Sequence, residues 1–557
     1  MSDAPKPPAA VTSSTTTSNL IERVGERMTL KARIENGIVY SPYPSEPAPE
    51  MTVYQVVKQC LEQYGCRTAL VCDDEEITFA ELLKMCQRYA AGFQRHGVRK
   101  GDKVLIHLDN SVESMIAMYS VIFAGGVAAV SDLILSNDDL LYRIRDSNAS
   151  HILTSASEAK RFSDFRDKLD VKGYFSVGTT PGFVPVSDFK ELNEDAFQEL
   201  PVADVKKEAV ALLYTSGTTG SPKAAEHTHY SIVAFLPRPG SHQVSDDLDV
   251  VASHIPITSA FAFRTYLRDI TSGAKTVLLS KSTDADKMVD AIRKYKVTTV
   301  FGGLHWIVLL AKAIEQRGIQ LDSLRTVILC AAKVTPQSLR QLERAFDLAI
   351  VKDTYGTTEV GQICRPPLGK SSWYGIGFPS PMVQVKVVDV KSGNVLGPNE
   401  EGEVLVKTPR SMKGYYGHPE ATSQTITPDG WVRTGDICYY NEVGQFFYVE
   451  RMSEFFRCMG IPVAPCSIES VLLSHDGIEE AAVIGVPHPR YQEAAMAFVV
   501  LKKSCSKITE EELQNFVAGQ LGTYMHLHGG VKFVDAIPKN ASGKVMRKKL
   551  QMLHQDG

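Results

Sequence analysis

From Thr52 onward the chain repeats one pattern: a stretch with helical apolar spacing, a short β-branched or apolar run, and a polar turn. Residues 81–96, then 103–107, then 112–123 show it first. The strand-like runs recur at 151–154, 209–214, 276–279, 298–301 and 326–329, with a helical segment at 285–295 between two of them. A helix that follows each strand must return across a sheet face, so this alternation predicts parallel strands covered by helices. The expected fold class is α/β, with a large N-terminal body of doubly wound subdomains. Between 383 and 440 the period shortens to two, with glycine turns around 385–388, 402–406 and, just beyond, 444–448, which predicts a small antiparallel β-barrel. Shorter βαβ-like elements at 468–473, 481–486 and 511–521 predict a small α+β C-terminal domain. The expected units are an unstructured tail over 1–45, a body over 46–449 and a C-terminal domain over 450–557.

Length and charge narrow the ligand. At 557 residues the chain has room for three or four units of about 100–200 residues each. Its 60 Lys+Arg and 64 Asp+Glu leave a net charge of −4, too even for a nucleic-acid surface, and point to a small ligand. Residues 1–19, rich in Ser, Thr, Pro and Ala, lack the apolar core of a secretory signal. The longest apolar run, 115–130, is broken by Gly125 and Gly126 and falls short of the roughly 18 residues of a membrane span. It predicts a buried helix followed by a strand, with no integral membrane segment. Ten cysteines without paired spacing predict a reducing compartment and no structural metal. Gln555-Asp556-Gly557 is not a Ser-Lys-Leu type address, so the cytoplasm is expected, with a peroxisomal site the alternative.

The stretch that carries chemistry runs from the apolar strand at 211–214 into Thr215-Ser216-Gly217-Thr218-Thr219-Gly220-Ser221-Pro222-Lys223. Glycines let several backbone N–H groups turn toward one anion, and the hydroxyls add donors, so the loop suits a polyphosphate. It is not a Walker A loop, because the G-x-x-x-x-G-K-[ST] spacing is absent.

This loop resembles the phosphate-binding signature of the adenylate-forming acyl-CoA synthetase superfamily, which includes 4-coumarate:CoA ligases and firefly luciferase. Four further segments are similar, in family order: Tyr355-Gly356-Thr357-Thr358-Glu359, then 430–436, then Glu450-Arg451 with Gly460 and Pro465, then 538–544. The resemblance implies an AMP-forming acid–thiol ligase acting on a fatty or aryl acid with ATP, Mg2+ and coenzyme A. It implies a catalytic set of Lys544, Glu359 and Thr215, with Glu359 a ligand of the magnesium ion. The nucleotide site would comprise Thr215, Ser216, Gly217, Thr218, Thr219, Gly220, Lys223, Tyr355, Gly356, Thr357, Asp436, Arg451 and Lys544. Tyr355 would stack on adenine, Asp436 would accept both ribose hydroxyls, Arg451 would contact the nucleotide, and a mobile C-terminal domain would deliver Lys544.

Departures from the family pattern fall near the acid and at the hinge. Ile257-Thr258-Ser259 follows Pro256 where an aromatic–His pair is usual, 330–333 reads Cys-Ala-Ala-Lys where the family is glycine-rich, and Tyr374 replaces a glycine. Ser453, Arg457 and Pro462 alter the hinge. A luciferase-like oxygenase, an enzyme serving a carrier protein and a non-catalytic nucleotide-binding homologue are the alternatives. Oligomeric state and the identity of the acid are not encoded in any of these motifs.

Overall fold

The computed structural model describes residues 30–215, 222–237, 248–280, 283–330, 334, 336–346, 349–367, 375–502, 508–539 and 544–555. Within the described residues two large, mainly parallel sheets carry the body. One has eight strands, in the order Gly414–Tyr415, Ala224–Thr228, Ala209–Tyr214, Val127–Val130, Lys103–His107, His151–Ser155, Gly173–Val177, Val184–Pro185. The other has seven, in the order Ile350–Asp353, Thr326–Cys330, Thr299–Gly303, Val250–Ser253, Lys275–Leu278, Thr68–Cys72, Glu75–Thr78.

Between the sheets runs the helix Val112–Phe123, buried on every side except at Glu113. Its core contains Leu70 and Cys72 from one sheet and Val104 and Ile106 from the other. A helix packed on two faces has no solvent stripe, which is why this segment is apolar all round. Gly125, at φ +91°, turns the chain into the strand Val127–Val130, as expected for 115–130. Among the described residues no helix is long and apolar enough to cross a membrane.

The antiparallel unit is a six-stranded sheet in the order Ile34–Glu35, Ile38–Tyr40, Gln384–Val388, Gly402–Lys407, Val432–Tyr440, Phe446–Arg451. Its first two strands correct the sequence reading, which assigned all of 1–45 to an unstructured tail. The hairpin turns at Asn36 and Gly37, both at positive φ, and pairs Val39 with Val385, burying Val39 completely. Strands of two and three residues are too short to show a period, so the pairing comes from the partner strand.

A three-stranded sheet, Tyr355–Thr357, Gly361–Arg365 and Phe378–Pro379, bridges the seven-stranded and six-stranded sheets along the chain. The strand Phe446–Arg451 still belongs to the six-stranded sheet, and the next strand, Phe456–Cys458, to the C-terminal one, so the crossover lies in the 3-10 turn Met452–Glu454. The C-terminal sheet is built on the hairpin Ile478–His488/Gln492–Leu501, with Val531–Phe533 parallel to its second strand. Residues 468–473 and 511–521, expected as βαβ-like elements, supply the helices Pro465–Leu473 and Glu510–Ala518.

Candidate nucleotide and acid site

The buried strand Ala209–Tyr214 ends at Thr215, and the chain returns at Lys223 into the antiparallel strand Ala224–Thr228. Thr215 N–H donates to the Lys223 carbonyl at 3.0 Å, and Lys223 N–H to Thr215 Oγ1 at 3.3 Å, so the two ends of the loop are pinned together. Tyr142 fixes the exit by donating its hydroxyl to the Pro222 carbonyl at 3.1 Å. Ser216, Gly217, Thr218, Thr219 and Gly220 lie outside the described residues.

Tyr355 and Glu359 sit on one tight hairpin. Gly356 pairs with Gln362, and a Cβ on Gly356 would come within 2.4 Å of the Gly361 carbonyl oxygen, so only glycine closes this turn. Glu359 Oε1 accepts from the Tyr415 hydroxyl at 2.7 Å, and the Glu359 carbonyl accepts from Met412 N–H at 2.7 Å. Tyr415 pairs with Ala225, so this contact joins Glu359 to the strand leaving the phosphate loop. Nothing in the sequence singled out Tyr415; only the strand pairing brings it here.

Asp436 and Arg451 are cross-strand partners in the six-stranded sheet. Asp436 is 2% exposed; Arg451 Nη1 lies 3.3 Å from its Oδ1, and the Tyr355 hydroxyl donates to its Oδ2 at 2.7 Å. Burial raises the Asp436 pKa, while Arg451, Tyr355 and Lys544 pull it down. Oδ1 is buried without a hydrogen bond among the described residues, as is Thr357 Oγ1. An orphaned carboxylate oxygen beside a cation fits a hydroxyl donor such as a ribose. The sequence reading gave both oxygens to ribose; the structure shows one already accepting from Tyr355. Tyr355 itself has a polar duty beside the expected stacking, and its ring tilts against Tyr448 at 6.0 Å.

Lys544 comes from the far end of the chain. Two residues on, Met546 N–H donates to the Pro538 carbonyl at 2.9 Å, tying the chain after Lys544 back to the segment that precedes it. Arg547, paired to Glu469 at 2.6 Å and Glu454 at 3.5 Å, ties the following helix to the C-terminal sheet. Lys544 is close enough to feel Arg451, Asp436 and Glu454: burial lowers its pKa, Arg451 lowers it further, and Glu454 and Asp436 oppose both. The placement is fixed from the other side by Lys312–Glu479 at 2.8 Å and by Lys539, which bonds Glu480 at 2.7 Å and His305 Nδ1 at 3.2 Å. Thus Tyr355, Asp436, Arg451 and Lys544 form one charged cluster, joined through the hairpin to Glu359.

Among the described residues no group of three or more His, Cys, Asp and Glu side chains forms a metal cage. One carboxylate, Glu359, near a phosphate loop fits Mg2+, which is commonly held by one or two carboxylates plus substrate phosphates. Of the altered positions, Ser259 caps the helix Ala260–Ser272 by accepting from Ala262 N–H at 3.1 Å, and Arg457 donates to the Gly460 carbonyl at 3.4 Å. Residues 331–333 and Tyr374 lie outside the described residues. A cavity of about 450 Å3, lined by Lys103, Phe123, Val210, Leu212 and Tyr416, lies apart from Tyr355, Glu359, Asp436 and Lys544, none of which borders it.

Known proteins resemble this chain along most of its length. The profile of AMP-binding enzymes matches residues 57–416, and that of the AMP-binding enzyme C-terminal domain matches 467–544. The 4-coumarate–CoA ligase 3 of Arabidopsis thaliana is 31% identical over 492 residues, covering 85% of this chain and 86% of that protein. The luciferin 4-monooxygenase of Photuris pensylvanica is 28% identical over 546 residues, covering 94% and 98%. The crystal structure of ATP-bound MatB from Rhodopseudomonas palustris superposes with a TM-score of 0.80 at 25% identity, covering 91% of this chain and 99% of that one; apo MatB gives 0.69. A profile spanning most of the chain, with relatives matched nearly end to end, places this protein in the AMP-binding, adenylate-forming enzyme family that includes the acyl- and aryl-CoA ligases.

Proposed function

We propose that the protein is an ATP-dependent carboxylic acid:CoA ligase that activates a fatty or aryl acid. The body over 46–449 would bind ATP and the acid, and the unit over 450–557 would carry the catalytic lysine. The observation that carries this reading is Lys544 lying within electrostatic reach of Asp436 and Arg451, although more than ninety residues separate them in sequence. The better superposition on ATP-bound than on apo MatB supports the same placement of the C-terminal unit.

In the first half-reaction a carboxylate oxygen attacks the α-phosphorus of ATP; the new O–P bond forms as the bond to the β-phosphate oxygen breaks, and pyrophosphate leaves. Two anions must meet, so the barrier is electrostatic. Thr215 and the loop through Lys223 would hold the β- and γ-phosphates. Glu359, oriented by Tyr415, would hold Mg2+, whose charge offsets that of the phosphates when bound. Asp436 fixes the ribose, Tyr355 positions Asp436 and faces the base, and Lys544 bridges the incoming carboxylate and the α-phosphate. Arrival of these anions raises the Lys544 pKa again, so substrate binding favours the ammonium that the chemistry uses. In the second half-reaction the CoA sulfur attacks the acyl carbon, the thiol gives up its proton and AMP departs.

The test is mass-spectrometric detection of AMP and acyl-CoA with MgATP, CoA and a panel of fatty and aryl acids. Matched AMP and acyl-CoA are expected. Lys544→Ala is expected to lose adenylate formation by about 100- to 1,000-fold while still converting supplied acyl-AMP to thioester. Equal loss of both steps in a folded variant refutes the role of Lys544, and acyl-AMP without acyl-CoA refutes CoA as the acceptor.

A further inference from the structure

The carboxylate of Glu450, 6% exposed, takes no part in the charged cluster around Asp436. Glu450 stands opposite Ile437 on the strand Phe446–Arg451, the last of the six-stranded sheet. Neighbouring residues of a strand point to opposite faces. Arg451 turns to Asp436, and Glu450 turns the other way, to the C-terminal unit. Its Oε1 accepts from Arg451 N–H at 3.0 Å, and its Oε2 accepts from Cys466 N–H at 3.3 Å.

Cys466 is the second residue of the helix Pro465–Leu473. Ala464 at the N-cap makes no side-chain bond to this helix, and Pro465 at the first position has no N–H to offer. The cap is therefore supplied by Glu450, from the other side of the crossover, where a carboxylate also meets the positive end of the helix dipole. Cys466 Sγ donates to the Val449 carbonyl at 3.2 Å, so the helix start is fastened to the strand end twice. Three residues along the same helix, Glu469 Oε1 accepts from Val483 N–H at 2.8 Å and pairs with Arg547 Nη2 at 2.6 Å. Arg547 opens the last helix, three residues after Lys544. Burial pulls the Arg547 pKa down, and Glu469, Glu450 and Glu454 more than offset it. A line of bonds thus runs from the six-stranded sheet through Glu450, the helix start, Glu469 and Arg547 to the segment that carries Lys544. The 3-10 turn Met452–Glu454 lies between Glu450 and Cys466. A rotation of the C-terminal unit there leaves Glu450 on its sheet and carries Cys466, Glu469 and Arg547 away from it.

We propose that Glu450 is a positioning residue for the first half-reaction: its carboxylate caps the helix Pro465–Leu473 across the boundary between the two units and so docks Lys544 for adenylation. This rests on the ligase reading and names the group that holds the lysine in place. Glu450 touches no substrate. It acts through Cys466, Glu469 and Arg547, and its bond is made in the adenylating arrangement and given up when the unit turns.

The test measures the half-reactions separately: ATP–pyrophosphate exchange with a panel of fatty and aryl acids, and thioester formation from supplied acyl-AMP and CoA. Glu450→Ala is expected to slow exchange about 10-fold, the size of a lost charged cap, with thioester formation unchanged or faster. Glu450→Gln, which keeps an acceptor without the charge, should fall between Glu450→Ala and the wild type. Ala464→Ser separates docking from helix stability, because it gives the helix an N-cap from within its own unit. In the double variant Glu450→Ala/Ala464→Ser, exchange is expected to stay slow. Recovery of exchange in that variant, equal slowing of both half-reactions in Glu450→Ala, or no slowing at all overturns the proposal and leaves the ligase reading standing. A wild-type protein that binds ATP but exchanges with no acid overturns the ligase reading and this proposal with it. If Glu450→Ala fails to fold, Glu450→Gln decides, alone and combined with Ala464→Ser.

Discussion

At the scale of single residues, the site is an exercise in holding charge without water. Asp436 keeps its carboxylate buried because three neighbours favour the ionised form: the Arg451 guanidinium, the Tyr355 hydroxyl and the Lys544 ammonium. Removing the charge of Asp436 leaves those groups facing one another. Asp436→Asn is therefore expected to weaken ATP binding by about 10- to 100-fold, from the loss of a charged hydrogen-bond acceptor, while Tyr355→Phe costs less because the ring remains. Isothermal titration with ATP checks both, and unchanged affinity in Asp436→Asn rules out the ribose contact. Asp436 and Arg451 were legible in sequence through their motifs. Their mutual pairing was not, since 15 positions separate them and only strand register brings them together.

At the scale of elements, glycine and histidine do work that composition hides. The hairpin carrying Tyr355 and Glu359 closes because Gly356 has no side chain, so Gly356→Ala is expected to lower thermal stability by about 2–4 kcal/mol and to weaken ATP binding with it. A melting curve with and without MgATP measures both effects; a neutral substitution would mean the hairpin relaxes. Elsewhere in the body, His229 Nδ1 accepts the Val53 N–H at 3.1 Å, tying the helix Val53–Tyr64 to the start of the helix His229–Val233. Burial pushes the pKa of His229 down to about 4, and burial, helped by Arg161, does the same for His107. Both are neutral when folded and take up a proton more readily when unfolded, near pH 6.5. Their contribution to stability is thus present above that pH and is lost as pH falls toward 4. The melting temperature is expected to drop across this window, and His229→Asn, which keeps an acceptor but cannot titrate, to flatten the slope. An identical slope in the variant would show that other groups drive the acid transition.

At the scale of the whole molecule, the ligase reading has the position of the C-terminal unit decide which half-reaction the site can do. Lys312–Glu479 and the His305–Lys539–Glu480 contact hold that unit on the helix Leu304–Arg317 while Lys544 faces Asp436. These bonds are partly exposed, and such pairs contribute roughly 0–1 kcal/mol. Contacts this weak suit the domain motion that the ligase reading requires. Lys312→Glu, which sets like charges against Glu479, is expected to slow adenylate formation several-fold at low salt, with the loss shrinking at high salt and supplied acyl-AMP still converted to thioester. Stopped-flow measurement of each half-reaction checks this, and equal slowing of both would deny the contact a conformational role.

What the sequence determined was what depends on neighbours along the chain. The alternation of strand and helix follows from local periodicity, and runs such as Lys103–His107, Val112–Phe123 and Ala285–Tyr295 lie where it placed them. The loop from Thr215 to Lys223 could be picked out because it is a compact string with a local chemical logic, and the segments around Glu359, Asp436 and Lys544 because they resemble the motifs of a known family. The tertiary structure decided what depends on distant partners. It recruited Ile38–Tyr40 into a sheet beside Gln384–Val388, brought Tyr415 to Glu359, and placed Arg264 against Thr358. A short strand, a lone tyrosine and a helical arginine carry no periodicity of their own. Their roles arise only when folding excludes water around them and leaves each polar group the partners that packing supplies.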